Sequence, residues 1–157
     1  MLNSYKRKTP MNLKKLHLLF VALAAGQVLF CGVVLYLILV ERFAGVDMQA
    51  RDQYLAPSIL LLAAAGTAYA LNQVLSRRGR RMQFLATKVQ QYSITSIVRL
   101  AIVEGANLLI LIITLLSGQI NSLLFFALGM LVFLYFRPSR EDFVQLFELS
   151  SEEERQL

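Results

Sequence analysis

Four apolar runs, Leu16–Val40, Tyr54–Leu75, Ile94–Leu116 and Ile120–Phe136, take up most of this chain and are parted by compact clusters of charge. A bilayer's hydrocarbon core is crossed by roughly 17–25 mostly apolar residues in a helix, and every run lies in or near that range. Helices are the spanning form to expect, because an open strand leaves backbone groups unpaired in lipid. The runs are also too long and too evenly apolar for barrel strands. The chain has 157 residues, 57% of them apolar; a soluble domain of that size would show short amphipathic segments between polar turns. The expected architecture is therefore all-α: an integral membrane four-helix bundle with spans at 16–40, 54–75, 94–116 and 120–136. Residues 1–15 form a basic segment ahead of the membrane domain 16–137, and 138–157 form an amphipathic, acidic tail.

Lys6, Arg7, Lys8, Lys14 and Lys15 precede the first run, as in a secretory signal. A signal's apolar region covers roughly 7–15 residues before a small-residue cleavage site. "ALA" at 22–24 mimics such a site, but the run continues to Val40. Phe30, just before Cys31, is too large for a lipoprotein signal. The first run thus reads as a retained helix. A single cysteine forms no internal disulfide.

Orientation follows the Lys and Arg of short loops. The N-terminal segment and the second loop, "SRRGRRMQFLATKVQQYS", are basic without acids. The first loop is balanced, the third, "SGQINS", is uncharged, and the tail opens with "RPSR". This alternation places both termini and the second loop in the cytoplasm of a cell whose inner (plasma) membrane holds the chain. The net charge of +6 is then a membrane-facing collar rather than a sign of nucleic-acid binding. Arg77, Arg78, Arg80 and Arg81 are expected to meet anionic lipid headgroups.

Smaller signals agree. Pro57 is expected at the start of the second span, where a missing N–H does no harm. Met82, Leu85, Val89 and Tyr92 make one apolar face, so the second loop should be helical, lying at the interface or extending the third span. Pro138 closes the fourth run. Ser139 then opens "SRED", a capping pattern with Asp142 three residues on. Phe143, Val144, Leu146 and Phe147 predict a short amphipathic helix, and "SSEEE" (150–154) offers a second cap. Being acidic, this tail suits packing against Arg77–Arg81, or a partner, better than binding anionic lipid; a solvated, frayed tail is the alternative.

The third span, "SIVRLAIVEGANLLILII" over 96–113, carries charge among aliphatic residues. At about 100° per residue, Ser96, Arg99, Leu100, Glu104, Asn107, Leu111, Thr114 and Gly118 share one arc. Such a polar stripe should face other helices. Arg99, near the basic end, is long enough to snorkel to headgroups. Glu104 lies roughly mid-membrane. Glu104, Asn107 and Arg99 are the candidate intramembrane polar site. Ala63, Gly66 and Ala70 of the second span are the candidate packing stripe facing Glu104, since small residues let backbones approach. Gln27, Tyr36, Tyr69, Asn72 and Gln73 are the candidate hydrogen-bond partners.

The small-residue helix "LLLAAAGTAYALN", the basic loop and the helix bearing Glu104–Gly105 resemble, over about a third of the chain, the hairpin of rotary-ATPase proteolipids. That resemblance implies that the carboxyl of Glu104 carries a transported proton or sodium ion. The chain departs from that family in having Gly66 alone where a repeated-glycine helix stands. Its second half, with Arg99 and Glu104–Gly105 in "R-x4-E-G", a short outer turn, a last span and "RPSR", resembles small, uncharacterised four-helix bacterial inner-membrane proteins. That likeness implies no activity.

Enzyme chemistry finds little to stand on. The one histidine, His17, sits at the basic end of the first span, and no HExxH, paired-Cys, phosphate-loop or GxSxG motif occurs. No catalytic, cofactor-binding or metal-ligating residues are expected. The reading is a non-enzymatic membrane protein with a structural or accessory role, in which Glu104 serves helix packing. Its partners would be the bilayer and either further copies of itself or other membrane proteins. The alternative is a proton- or ion-coupled transport component in which Glu104 titrates.

Overall fold

The computed structural model describes residues 13–40, 50–82 and 84–155. The basic residues before position 13 and most of the first loop lie outside the described residues. Helix α1 covers Leu13–Leu39, α2 Ala50–Arg80 and α3 Leu85–Ser117. A 3-10 turn at Ile120–Ser122 leads into α4, Leu123–Tyr135, followed by α5, Arg140–Phe147, and α6, Ser151–Glu154. No strand occurs among the described residues. Helices α1, α2 and α3 are each long and apolar enough to cross a membrane. A fourth crossing is counted only if the segments Ile120–Tyr135 and Arg140–Phe147, bent by 69° to each other, make one span. Pro138 stands in that bend. It has no N–H to continue a helix and disfavours helical backbone at the residue before it.

Both α2 and α3 run past the apolar segments that predict them. The α3 helix begins at Leu85, so the apolar face of Val89 and Tyr92 extends the third span. Pro57 falls inside α2 rather than at its start, because the helix opens at Ala50. At its far end α3 stops at Gly118, whose φ of 66° is the left-handed conformation that glycine adopts without steric cost.

Helix α3 is the hub, packing against α1, α2 and α4. Two apolar clusters stack along it. Toward the middle, Phe20, Ala68, Leu100, Val103, Phe133 and Phe136 interlock. Toward Gly118, Val34, Ile110, Leu111 and Phe126 do so. A third cluster, Leu16, Val89, Tyr92, Phe143 and Phe147, closes the basic end. The tail is therefore docked there, not solvated. Tyr92, Phe143 and Phe147 form a ring trio with centroids 4.9–6.0 Å apart, spacings at which aromatic rings attract.

Two caps shape the tail. The Ser139 hydroxyl accepts from the Asp142 N–H at 3.0 Å and starts α5. Glu148, at φ 47°, ends it in left-handed backbone. At α6 a full capping box forms between Ser150 and Glu153, pairing two N–H groups that a helix start leaves unsatisfied. Gly79 explains how the tail lies so close. A Cβ at that position would run into the ring of Phe147.

Candidate functional site

The polar arc of α3 is largely buried. Ser96, Arg99, Leu100, Asn107, Leu111 and Thr114 all lie inside. Arg99 does not snorkel outward: it is 2% exposed. One guanidinium nitrogen donates to Asp142 Oδ2 of α5 at 2.6 Å and another to Asn72 Oδ1 of α2 at 2.9 Å. The guanidinium also sits over the rings of Tyr92, 5.9 Å, and Phe136, 5.5 Å from their centroids, within cation–π range. The reason for the correction is local supply. The tail brings a carboxylate to the cation, and a charge that finds a hydrogen-bonded counter-ion can stay buried. The Tyr92 hydroxyl is placed to donate to Ser139 O at 3.0 Å or to Asp142 Oδ2 at 3.1 Å, and it accepts from the Ser139 N–H. Asp142 thus supplies its N–H to the cap and its carboxylate to Arg99, instead of closing a capping box.

One turn beyond Glu104, Asn107 meets α1. Its Nδ2 donates to Gln27 Oε1 at 2.7 Å, both residues being fully buried. Their remaining amide groups, Gln27 Nε2 and Asn107 Oδ1, have no hydrogen-bond partner among the described residues. Helix α4 comes against this pair at Gly129, where a Cβ would strike Asn107 Oδ1. The amide pair therefore lies where α1, α3 and α4 meet.

Glu104 is apart from both clusters. It is half-buried on the flank of α3, and no hydrogen bond or ion pair among the described residues joins it. Ala63, Gly66 and Ala70 do not face it. All three are exposed, and a Cβ on Gly66 would meet nothing. Helix α2 instead buries Ala64, Ala68, Ser76 and Gly79, with Asn72 on the same stripe bound to Arg99. Of the candidate partners for Glu104, Gln27 is taken by Asn107 and Asn72 by Arg99. Gln73 donates to the Tyr69 hydroxyl at 3.2 Å, and Tyr36 is exposed.

At the basic end the tail meets further cations. Lys88, though only 8% exposed at its side chain, donates to Glu153 Oε1 at 2.7 Å. Arg80 pairs with Glu148, and its Nε donates to the Leu146 carbonyl at 2.9 Å. The hydrogen bond from Lys88 holds the Glu153 carboxyl below the usual glutamate range, and the capping bonds to Ser150 add to this. So of the four arginines expected at headgroups, Arg80 is drawn to the tail, while Arg77, Arg78 and Arg81 are exposed.

The sequence pattern marks some of these groups and hides others. The caps at Ser139 and Ser150 are local patterns. Asp142 as the counter-ion of Arg99 has no local signal, because the two are 43 positions apart. Gly79 and Gly129 matter through a neighbour's side chain, which spacing does not reveal. No protein-family model, curated protein or solved structure matches this chain. The class that the fold and these groups define is an all-helical protein with three to four helices long and apolar enough to span a membrane.

Proposed function

We propose that this chain is a four-span protein of the cell's inner membrane, with both termini cytoplasmic, and that it has a structural or accessory, non-enzymatic role in a membrane assembly. The position of Glu104 carries the reading. It stands half-buried on the outer flank of α3, beside an axis filled by the Gln27–Asn107 pair and the stacked apolar clusters. A carboxyl at mid-height of an apolar helix is costly in hydrocarbon. With no partner offered by the described residues, it is best met by a donor on a neighbouring helix from outside the chain. Glu104 then serves packing between subunits rather than within one. The docked tail fits the same role, because it neutralises Arg99 and Lys88 and closes the cytoplasmic end of the bundle.

The test is to purify wild-type protein and the Glu104→Leu and Glu104→Gln variants and to measure their mass in detergent, after lateral cross-linking in membranes. The expected result is that Glu104→Leu folds with unchanged stability but loses its cross-linked neighbour, a second copy being the first candidate. Glu104→Gln keeps a hydrogen-bonding group and retains part of the association. If Glu104→Gln leaves the assembly intact but abolishes a proton or ion flux in proteoliposomes, the accessory role is overturned in favour of transport.

A further inference from the structure

An apolar groove of about 410 Å³ lies between α2 and α4, open on its outer side and lined by Ala65, Tyr69, Leu131, Val132, Tyr135 and Phe136. Sites for small molecules commonly enclose roughly 300–1,000 Å³. This groove is walled almost wholly by carbon, and no charged side chain lines it; the charges that follow its walls along the sequence lie beyond one end. On α2 the face of Ala65 and Tyr69 continues, one turn at a time, to Gln73 and then Arg77, about 12 Å beyond Tyr69 along the axis. On α4 the wall ends at Phe136, and Arg137 follows it. Arg77 and Arg137 are both exposed, and no ion pair among the described residues engages either. Glu141 is within electrostatic reach of Arg137, yet no ion pair joins them. The nearby cations Arg80 and Arg99 are, by contrast, held by Glu148 and Asp142. Tyr135, 78% exposed at the rim, is an amphipathic ring of the kind favoured at headgroup level.

We infer that the groove binds one acyl chain of an anionic phospholipid, with the headgroup phosphate held between Arg77 and Arg137. This rests on the membrane reading above and adds to it a defined lipid site. The two halves of the site select the occupant together. A zwitterionic lipid would fill the groove with the same chain and phosphate but would set a choline cation beside the two arginines, which weakens the pairing. A free phosphate would meet the arginines and leave the groove empty. Arginine suits this task, since its planar fork matches phosphate oxygens. Arg137 adjoins the groove and Arg77 lies about two turns beyond it, and snorkelling side chains of this length can span that difference to reach one headgroup.

The experiment uses the full chain purified in mild detergent. Binding of dioleoyl-phosphatidylglycerol, dioleoyl-phosphatidylcholine and glycerol 3-phosphate is followed by native mass spectrometry and by the shift in unfolding temperature. The expected order is tight phosphatidylglycerol, weak phosphatidylcholine and no shift with glycerol 3-phosphate. Each arginine near an anionic surface contributes roughly fivefold, so Arg77→Gln with Arg137→Gln should weaken phosphatidylglycerol by about 25-fold. Arg78→Gln with Arg81→Gln removes the same charge away from the groove and should change little. Ala65→Leu narrows the groove and should lower retention of the lipid without touching either arginine. Equal losses in the two arginine pairs would overturn the site in favour of diffuse attraction. So would phosphatidylcholine binding as tightly as phosphatidylglycerol, or glycerol 3-phosphate stabilising the protein as well. Carbonate washing of membranes separates the two levels. A chain that washes off refutes the membrane reading and the lipid site with it, whereas one that stays but shows no lipid preference refutes the lipid site alone.

Discussion

Replacing Asp142 by alanine should loosen the basic end of the bundle more than removing any other tail carboxylate. The change strips Arg99 of its counter-ion and leaves Asn72 Oδ1 as its hydrogen-bond acceptor. Breaking a buried ion pair by deleting one partner costs roughly 3–5 kcal/mol. The Arg99 side chain is 2% exposed, but that of Asp142 is 29% exposed, so water reaches one end of the pair and the cost falls to about 2–3 kcal/mol. At roughly 2–4 °C per kcal/mol for chains of 150–250 residues, the unfolding temperature in detergent should drop by about 5–10 °C. Arg99→Met keeps a flexible stem between the rings of Tyr92 and Phe136 and leaves Asp142 with the Tyr92 hydroxyl and solvent. It should cost less, about 1 kcal/mol. The double variant should then be milder than the sum of the two, with a coupling of roughly 1–3 kcal/mol. Glu141→Ala, one residue away and exposed, is the matched control. The reasoning is refuted if Asp142→Ala is no more damaging than this control, or if it adds simply to Arg99→Met.

Gly79→Ala should undock the tail, since the new methyl group meets the Phe147 ring and overpacking costs typically 1–3 kcal/mol; rapid proteolytic loss of the tail is the readout. Gly66→Ala, with open space around it, should be neutral or stabilising by up to about 1 kcal/mol, because alanine suits a helix interior better than glycine. Acid should release α6. The folded-state carboxyl of Glu153 titrates below the usual glutamate range, so its contribution is present at neutral pH and is lost as pH falls through that range and below. A fluorophore near Arg155 should report this release, and Lys88→Gln should weaken docking at neutral pH and flatten the pH response. The orientation is checked by reporters fused behind Glu154. Activity of a periplasm-dependent reporter, with silence of a cytoplasm-dependent one, would reverse the topology.

Helix positions were legible because the apolar runs are long and their ends carry charge, proline or glycine. The polar arc of α3 was legible too, because Arg99, Asn107 and Thr114 are conspicuous among aliphatic residues. The phase of α2 was not. In "LLLAAAGTAYA" every turn offers small or apolar side chains, so hydropathy does not distinguish the stripe of Ala64 and Ala68 from that of Ala63, Gly66 and Ala70. The better guide is the polar continuation of the buried stripe, Asn72 and Ser76, spaced four apart from Ala68. Glu104 lies on the arc's edge, so the polar pattern groups it with the packed face. A helix position offset by about 100° from buried Val103 points toward the flank, and periodicity alone does not settle which way an edge residue turns. Tertiary supply decided the rest: Arg99 had to wait for a carboxylate that no local pattern announces.

That separation has a temporal side. A ribosome delivers α3 well before the tail, with 43 positions between Arg99 and Asp142. Throughout that interval the guanidinium lacks its carboxylate and has the amide oxygen of Asn72 as the acceptor already made. The return of the chain through α4 and the capping of α5 by Ser139 then bring the missing charge to Arg99. A chain cut short before α5 would thus differ from a finished one in an Arg99 that has no carboxylate beside it.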